Sequence, residues 1–333
     1  MMIRLLTIGC LLSLTTFVSS PSVNAEETLT EDDCLLQAIR SARSSMTVAD
    51  IRAKCRPKEI DGIKLGAISS RIVAERQKEF DPYVITPHHM NYILPISVTD
   101  GINTEAYQDF GGWSDSLEDM EAKFQVSLKV PLLADDLFRK GDALYFGFTL
   151  QSWWQIYSHD ISKPFRETNY KPEIFYMTPL DWHPGGGNTG LVVGVEHQSN
   201  GRGQILSRSW NRVYLNFLYE KDNWAFYFKP WYRLKEDERV PGTDSGDDNP
   251  DILDYMGHFE IGTVYEWEDL EFTLSGRQNF AEHHGALNFG MTFPLWGRLR
   301  GYVQYSTGYG ESLIDYDHNQ QRLGLGFALT NAL

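Results

Sequence analysis

From Ile85 to its C-terminal end the chain is a run of short segments in which apolar and polar residues alternate with a period of two, the pattern of β-strands with one greasy face. Phe124, Val126, Leu128 and Val130 alternate with Gln125, Ser127 and Lys129; Leu144, Phe146, Phe148 and Leu150 with Tyr145, Gly147 and Thr149. Trp224, Phe226 and Phe228 alternate with Ala225, Tyr227 and Lys229; Leu287, Phe289, Met291 and Phe293 with Asn288, Gly290 and Thr292; Leu323, Leu325 and Phe327 with Gly324 and Gly326. About twelve such segments can be counted, the even number expected of a single-chain transmembrane antiparallel β-barrel, an all-β fold. Short turns, EKDN at Glu220, EWED at Glu266 and PLWGR at Pro294, alternate with longer polar loops: GRGQILSR, the acidic stretch from Lys235 to Asp251, NFAEHH and TGYGESLIDYDHNQ. One rim is therefore expected to carry turns and the other loops. After residue 25 no apolar run reaches the roughly 18 residues of a spanning helix, so strands must carry any crossing. The 28 Gly and 13% aromatic residues suit such walls.

One hairpin departs from the greasy-face rule. In LVVGVEHQSNGRGQILSRSWNRVYLNFLY, Leu191 to Tyr219, the residues Leu191, Val193, Val195, His197 and Ser199 share a face, as do Asn211, Val213, Leu215, Phe217 and Tyr219 on the return. If the hairpin is symmetric about Gln204, positions summing to 408 lie opposite each other, and His197 faces Asn211. Opposed Cβ atoms come within about 4.5–5.5 Å, and i, i+2 neighbours on one face are also in reach. A hydroxyl, an imidazole and an amide then stand in a row, as nucleophile, base and the group that orients the base. The Asn211 oxygen can accept the Nδ1 proton and leave Nε2 free for Ser199. Three unrelated polar residues at a loop tip are the plainer alternative, and the shared face and register weigh against it. Because the hairpin carries a long loop, the trio belongs at the loop rim, on the lipid-facing wall.

The first residues, MMIRLLTIGCLLSLTTFVSSPSVNA, have an early Arg4, an apolar run from Leu5 to Val18 and a small-residue ending, the pattern of a secretory leader (residues 1–25) cleaved after Ala25. Residues 26–81 differ in character from the barrel that follows over 82–333. DDCLLQAIRSA and TVADIRAKC read as amphipathic helices, and KLGAISSRIVAERQKEF as a third helix or a loose segment. Cys34 and Cys55, the only cysteines after the leader, are expected to pair in an oxidising compartment. This small helical extension is read as a structural or regulatory cap.

HQSNGR at His197, followed by SRSWNR at Ser207, resembles the signature of the outer membrane phospholipase A family of Gram-negative bacteria, and PFRETNY (Pro164 to Tyr170) and DDNPDILDYMG (Asp247 to Gly257) resemble it too. The similarity runs from about Tyr83 to the C-terminal end. It implies a calcium-dependent outer-membrane enzyme that hydrolyses the sn-1 and sn-2 acyl esters of glycerophospholipids, and lysophospholipids. His197 would be the base, Ser199 the nucleophile and Asn211 the orienting group. It further implies that the Gly201 amide and a calcium-bound water hold the oxyanion. The ion would be held by the Arg202 carbonyl, the Ser207 side chain and the Ser162 carbonyl of a neighbouring subunit, an all-oxygen set suited to Ca²⁺. A shared ion implies a homodimer through the greasy faces, formed when lipid enters the outer leaflet. Two positions depart from the family: Leu150 stands where the family has a seam glutamine, with Gln151 pointing the other way, and the chain ends in Leu333 rather than Phe.

The net charge of −15 argues against a nucleic-acid partner. Asp244, Asp247, Asp248 and Asp251 superficially resemble a calcium loop but lack its spacing and are read as a solvated outer loop. His88-His89 and His283-His284 invite a metal reading, but neighbours on a strand point to opposite faces. Trp153, Trp154, Trp210, Trp231 and Trp296 are read as an interfacial girdle, and Glu196 with Arg212 as part of an interior charge network. The competing class is a passive pore or structural barrel, which the fold fits equally but which has no use for polar residues facing lipid.

Overall fold

The computed structural model describes residues 35–36, 39–40, 59–60, 63–76, 86–109, 112–134, 137–240, 246–297 and 299–330. The chain divides into two compact units, residues 1–57 and 58–333. In the first, Leu35, Leu36, Ile39 and Arg40 of the expected DDCLLQAIRSA helix are helical. The leader, the TVADIRAKC segment, Cys34, Cys55 and Leu333 lie outside the described residues.

In the second unit twelve antiparallel strands close into a barrel. They are β1 (Tyr92–Thr99), β2 (Met120–Ala134), β3 (Ala143–Trp154), β4 (Phe165–Leu180), β5 (Asn188–Ser199) and β6 (Ser209–Lys221), followed by β7 (Trp224–Leu234), β8 (Phe259–Trp267), β9 (Leu270–Asn279), β10 (His284–Trp296), β11 (Leu299–Gly308) and β12 (Gln320–Ala328). Each pairs with its sequence neighbours, and β12 returns to β1, so every strand has a partner on both sides and the sheet has no edge. The outer wall is apolar: Val126, Val130, Val195, Phe217, Phe228, Leu287, Leu323 and Phe327 are all exposed, whereas Lys123, Ser127, Thr149, Glu173 and Glu196 point into the lumen and are buried. This is the face assignment that the alternation predicts.

Residues 100–119, 155–164, 200–208, 235–258, 280–283 and 309–319 connect strands at one rim, and tighter connections such as 222–223 and 268–269 at the other. Beneath the loop rim the lumen is filled by charge. Arg166, itself wholly buried, pairs with Glu121 at 3.0 Å and Asp315 at 3.1 Å. Arg322 reaches Glu121 at 2.9 Å, and Lys123 holds Glu311 at 2.6 Å. Arg212 pairs with Glu196 as the sequence reading places them, and Lys229 joins at 3.4 Å.

Helix α1 (Ala67–Arg76) settles the open reading of KLGAISSRIVAERQKEF as helix over those residues. It lies in the same compact unit as the barrel strands, residues 58–333. The Glu220 carboxylate, at the turn end of β6, accepts from the amides of Gly66 (3.2 Å), Ile68 (2.7 Å) and Ser69 (3.1 Å) and from the Ser69 hydroxyl. A negative charge thus satisfies the unpaired donors and the dipole of the helix N-terminus. Glu75, near the other end, pairs with Lys129 at 2.8 Å. A luminal cavity of about 560 Å³ is lined by Ile68 and Ile72 of this helix and by Glu173 and Lys229 of the wall.

The tryptophans divide differently from the expected girdle. Trp154 and Trp296 are exposed, but Trp153, Trp210 and Trp231 are buried, with their indole N–H groups bonded to Glu311 (3.3 Å), Gln198 (3.0 Å) and the Gly257 carbonyl (2.9 Å). Strand alternation sends them inward, where each indole needs a partner.

Candidate active site

The β5–β6 hairpin has the register that symmetry about Gln204 requires: Glu196 pairs with Arg212, His197 with Asn211 and Gln198 with Trp210. The His197 and Asn211 side chains, half-buried on the lipid-facing side, meet with Nδ1 and Oδ1 2.8 Å apart. An amide oxygen only accepts, so the ring Nδ1 carries the proton and Nε2 is left as the base. Ser199 lies two residues further along the same face, opposite Ser209 of β6 and Tyr170 of β4. Its hydroxyl forms no hydrogen bond with the ring among the described residues. Contacts of this kind commonly tighten only once substrate is bound.

The other half of the Asn211 amide is also engaged. Nδ2 donates to Glu236 Oε1 at 3.0 Å. Glu236 lies two residues past the end of β7, and Leu234 on that strand pairs with Asn211. Sequence reasoning did not find Glu236. The strand register could have pointed to it, but the path of the loop beyond β7 could not be read.

The loop after Ser199 is folded around Asn200. Its Oδ1 accepts from the amides of Arg202 (3.2 Å) and Arg208 (3.0 Å), and its Nδ2 donates to the Leu206 carbonyl at 2.7 Å. Gly201 follows with φ of 64°, and a Cβ there would lie 3.2 Å from the Tyr170 ring. Both facts favour glycine. The Gly201 amide makes no hydrogen bond among the described residues, which leaves it able to donate outward. Arg202 anchors the loop to the next hairpin through the carbonyls of Phe165 (2.8 Å) and Arg166 (3.0 Å).

Ser207, one of the expected calcium ligands, donates to Asp248 Oδ2, and Arg239 Nη1 lies 3.0 Å from Oδ1 of the same carboxylate. Asp248 is therefore not part of a solvated loop. Asp247 pairs with Arg233 at 2.6 Å, and Asp251 accepts from the Tyr316 hydroxyl at 2.7 Å; both tie the acidic segment to the barrel. The Ser207 hydroxyl and the Asp248 carboxylate, whose side chain is almost wholly covered, offer oxygen donors at this rim, and with the Arg202 carbonyl they are of the type that suits a hard divalent cation. Ser162 is exposed on the β3–β4 loop at the same rim.

The motifs that carry the family resemblance converge on this region from below. In PFRETNY, Arg166 forms the buried ion pairs and Asn169 Oδ1 accepts from the Leu313 amide at 2.9 Å. In DDNPDILDYMG, Asn249 Oδ1 accepts from the Ser209 amide at 3.0 Å. Both motifs brace the loops that surround Ser199.

The family model described as Phospholipase A1 matches residues 68–329, which takes in all of helix α1 but Ala67. The Phospholipase A1 of Escherichia coli K12 is 36% identical over 267 residues, covering 80% of this chain and 88% of that protein. The Proteus vulgaris enzyme of the same name is 37% identical over 269 residues, covering 80% and 88%. Among solved structures, outer membrane phospholipase A from Escherichia coli superposes with a TM-score of 0.71 at 35% identity, covering 79% of this chain and 98% of that one. The same values hold for a form of that enzyme with an active-site asparagine changed to alanine, and for a Salmonella typhi outer membrane phospholipase dimer with bound calcium. A family model that matches nearly all of the barrel, a superposable solved structure and identity above one third leave one assignment: this chain belongs to the phospholipase A1 family of outer-membrane β-barrel enzymes.

Proposed function

We propose that the chain is a calcium-dependent phospholipase that cleaves the sn-1 and sn-2 acyl esters of glycerophospholipids, and lysophospholipids, with Ser199 as nucleophile, His197 as base and Asn211 as orienter. The observation that carries this reading is the His197–Asn211 hydrogen bond on the outer wall, with Ser199 next along the same face. Polar groups are costly against lipid, and here they stand at the loop rim, where phospholipid esters of one leaflet would meet them. The E. coli relative with its active-site asparagine replaced supports the role given to Asn211.

His197 Nε2 takes the Ser199 proton as Oγ attacks the acyl carbonyl, and the imidazolium is steadied by its bond to Asn211. The tetrahedral oxygen is placed to accept from the Gly201 amide. Collapse expels the lysophospholipid alkoxide, which takes the proton back from His197. Water, deprotonated by the same ring, then attacks the acyl-serine and releases the fatty acid. Calcium, when held by Arg202, Ser207 and Ser162 of the partner subunit, supplies positive charge to the developing oxyanion. The Salmonella typhi dimer with bound calcium supports both the ion and the homodimer. Gln151 turns inward to the Tyr92 hydroxyl at 3.1 Å, which leaves Leu150 on the outer face of β3 and makes this seam more apolar than the family's.

The test is fatty-acid release from phosphatidylethanolamine in detergent micelles by refolded protein, wild type and Ser199→Ala, with calcium or with chelator. Release that needs both Ser199 and calcium is expected. Wild-type protein that released nothing in calcium would reverse the reading in favour of a passive barrel.

A further inference from the structure

His88 and His89 do not lie on a strand. They occupy a bend just before β1, so the argument that adjacent residues must diverge does not hold for them. Their rings turn to one side, with centroids 4.0 Å apart, and both face Glu173 of β4. His88 Nε2 lies 2.8 Å and His89 Nε2 3.9 Å from Glu173 Oε1, and the three ligand atoms all fall within 4.8 Å of one another. Among the described residues this is the one group of three histidine or carboxylate side chains so gathered.

We propose that His88, His89 and Glu173 form a luminal site for a borderline divalent transition metal, zinc above all. Two imidazoles and one carboxylate are a known zinc donor set, and hard calcium has no use for the nitrogens. Tetrahedral zinc with bonds of about 2.0–2.1 Å sets its donors roughly 3.3 Å apart. The two observed separations straddle that value. The group as a whole spans up to 4.8 Å, so His89, with half its side chain exposed, has to swing by up to roughly 1.5 Å toward His88, while Glu173 is almost wholly buried.

The surroundings hold the donors in place. The second Glu173 oxygen accepts from the Tyr214 hydroxyl, an outer-shell bond of the kind that fixes a ligating carboxylate. The His88 ring stacks on Phe175 at 4.8 Å and fits beside Gly147, where a Cβ would come within 3.1 Å of it. The open side of His89 faces the luminal cavity, which leaves a coordination position for water. Lys171, Lys229 and Arg212 line the same cavity and oppose a cation, so affinity on the order of micromolar is expected rather than the far tighter binding of closed structural sites. Bound metal would tie the segment before β1 to β4, beside the contacts of Arg71 in α1 with the Pro87 and His88 carbonyls.

The inference is independent of the phospholipase reading and is tested without lipid. Refolded full-length protein in detergent is stripped with chelator and titrated with zinc against a chromophoric competitor, and with cobalt for its visible spectrum. One equivalent of zinc is expected, with the cobalt absorption of a four- or five-coordinate site. His89→Ala should weaken binding at least about tenfold; its ring is half exposed, so folding is not at stake. His283→Ala/His284→Ala, the other adjacent pair, should bind as wild type. Zinc binding that is absent in wild type, or unchanged in His88→Ala/His89→Ala, would overturn the proposal and leave an ion pair only.

Discussion

Asn211 Nδ2 donates to Glu236 Oε1 at 3.0 Å while Asn211 Oδ1 holds His197 Nδ1 at 2.8 Å, so the amide is gripped from both ends. An amide turned by 180° would offer NH₂ to the ring and favour the wrong tautomer. The carboxylate prevents this, because it can only accept. Glu236→Ala is expected to lower kcat about tenfold with KM unchanged, roughly 1.4 kcal/mol at the transition state. Glu236→Gln keeps an acceptor oxygen and should recover most of the rate. Initial rates on a monomeric lipid substrate decide it, and an unchanged Glu236→Ala would show that the barrel wall alone orients Asn211.

Removing members of the trio should not give additive losses. Ser199→Ala is expected to reduce release by about 10⁴-fold or more, and His197→Ala on that background to cost nothing further, since both act in one step. Asn211→Ala should cost less, about 10- to 100-fold, because an uncharged amide orients the ring without adding charge to it. Heat-modified mobility on gels would report whether each barrel has folded. A Ser199→Ala protein that folds and still releases fatty acid would remove Ser199 from the mechanism.

Much of this was legible in the sequence because a strand has a period of two. Alternation fixed which residues face lipid, and hairpin symmetry placed His197 opposite Asn211. What could not be read depends on where loops return. Glu236 and Asp248 reach the hairpin only after leaving β7, and no periodicity encodes that path. The inward tryptophans were misread because composition, not face, was used to place them. The rule that adjacent residues diverge does not apply to His88 and His89, because they lie in a bend and not on a strand.

Arg166 is the keystone of the buried charges under the loops. Its guanidinium meets Glu121 through two bonds of 3.0 Å and Asp315 at 3.1 Å, all three side chains wholly buried. Arg166→Met would leave Asp315 without a cation, whereas Glu121 would keep Arg322. A loss of about 3 kcal/mol is expected, the low end for a broken buried pair. Adding Asp315→Asn should restore part of it. Unfolding in detergent with urea measures this, and an Arg166→Met barrel as stable as wild type would mean that the ion pairs contribute specificity only.

Acid should weaken the same region. Burial alone would raise the Glu311 carboxyl, but Lys123 and Arg322 beside it outweigh that and hold it at about 2, against an ordinary 4.5. A depressed folded-state value means that this stabilisation is complete above the unfolded value and is lost as pH falls from 4.5 through 2. The gap in Tm between wild type and Glu311→Gln should therefore be widest near neutrality and close across that window. A gap that did not change with pH would show that the Lys123–Glu311 contact is not ionic.

The last expectation concerns calcium and gives two neighbouring residues opposite signs. Asp248 adds a carboxylate beside Ser207, and Arg239, 3.0 Å from its Oδ1, supplies a tethered positive charge where a cation would be drawn. The two positive charges compete for one anion. Arg239→Gln should then tighten calcium binding, by about threefold since the arginine is partly exposed and its pair is screened, and Asp248→Asn should weaken it about tenfold. Calorimetric titration of calcium into protein in detergent reads both directly, apart from any turnover. Because the two residues act through one carboxylate, Arg239→Gln should have no effect once Asp248 is Asn. If the arginine change still tightened binding in that background, it would be acting through the long-range field of the rim and not through Asp248.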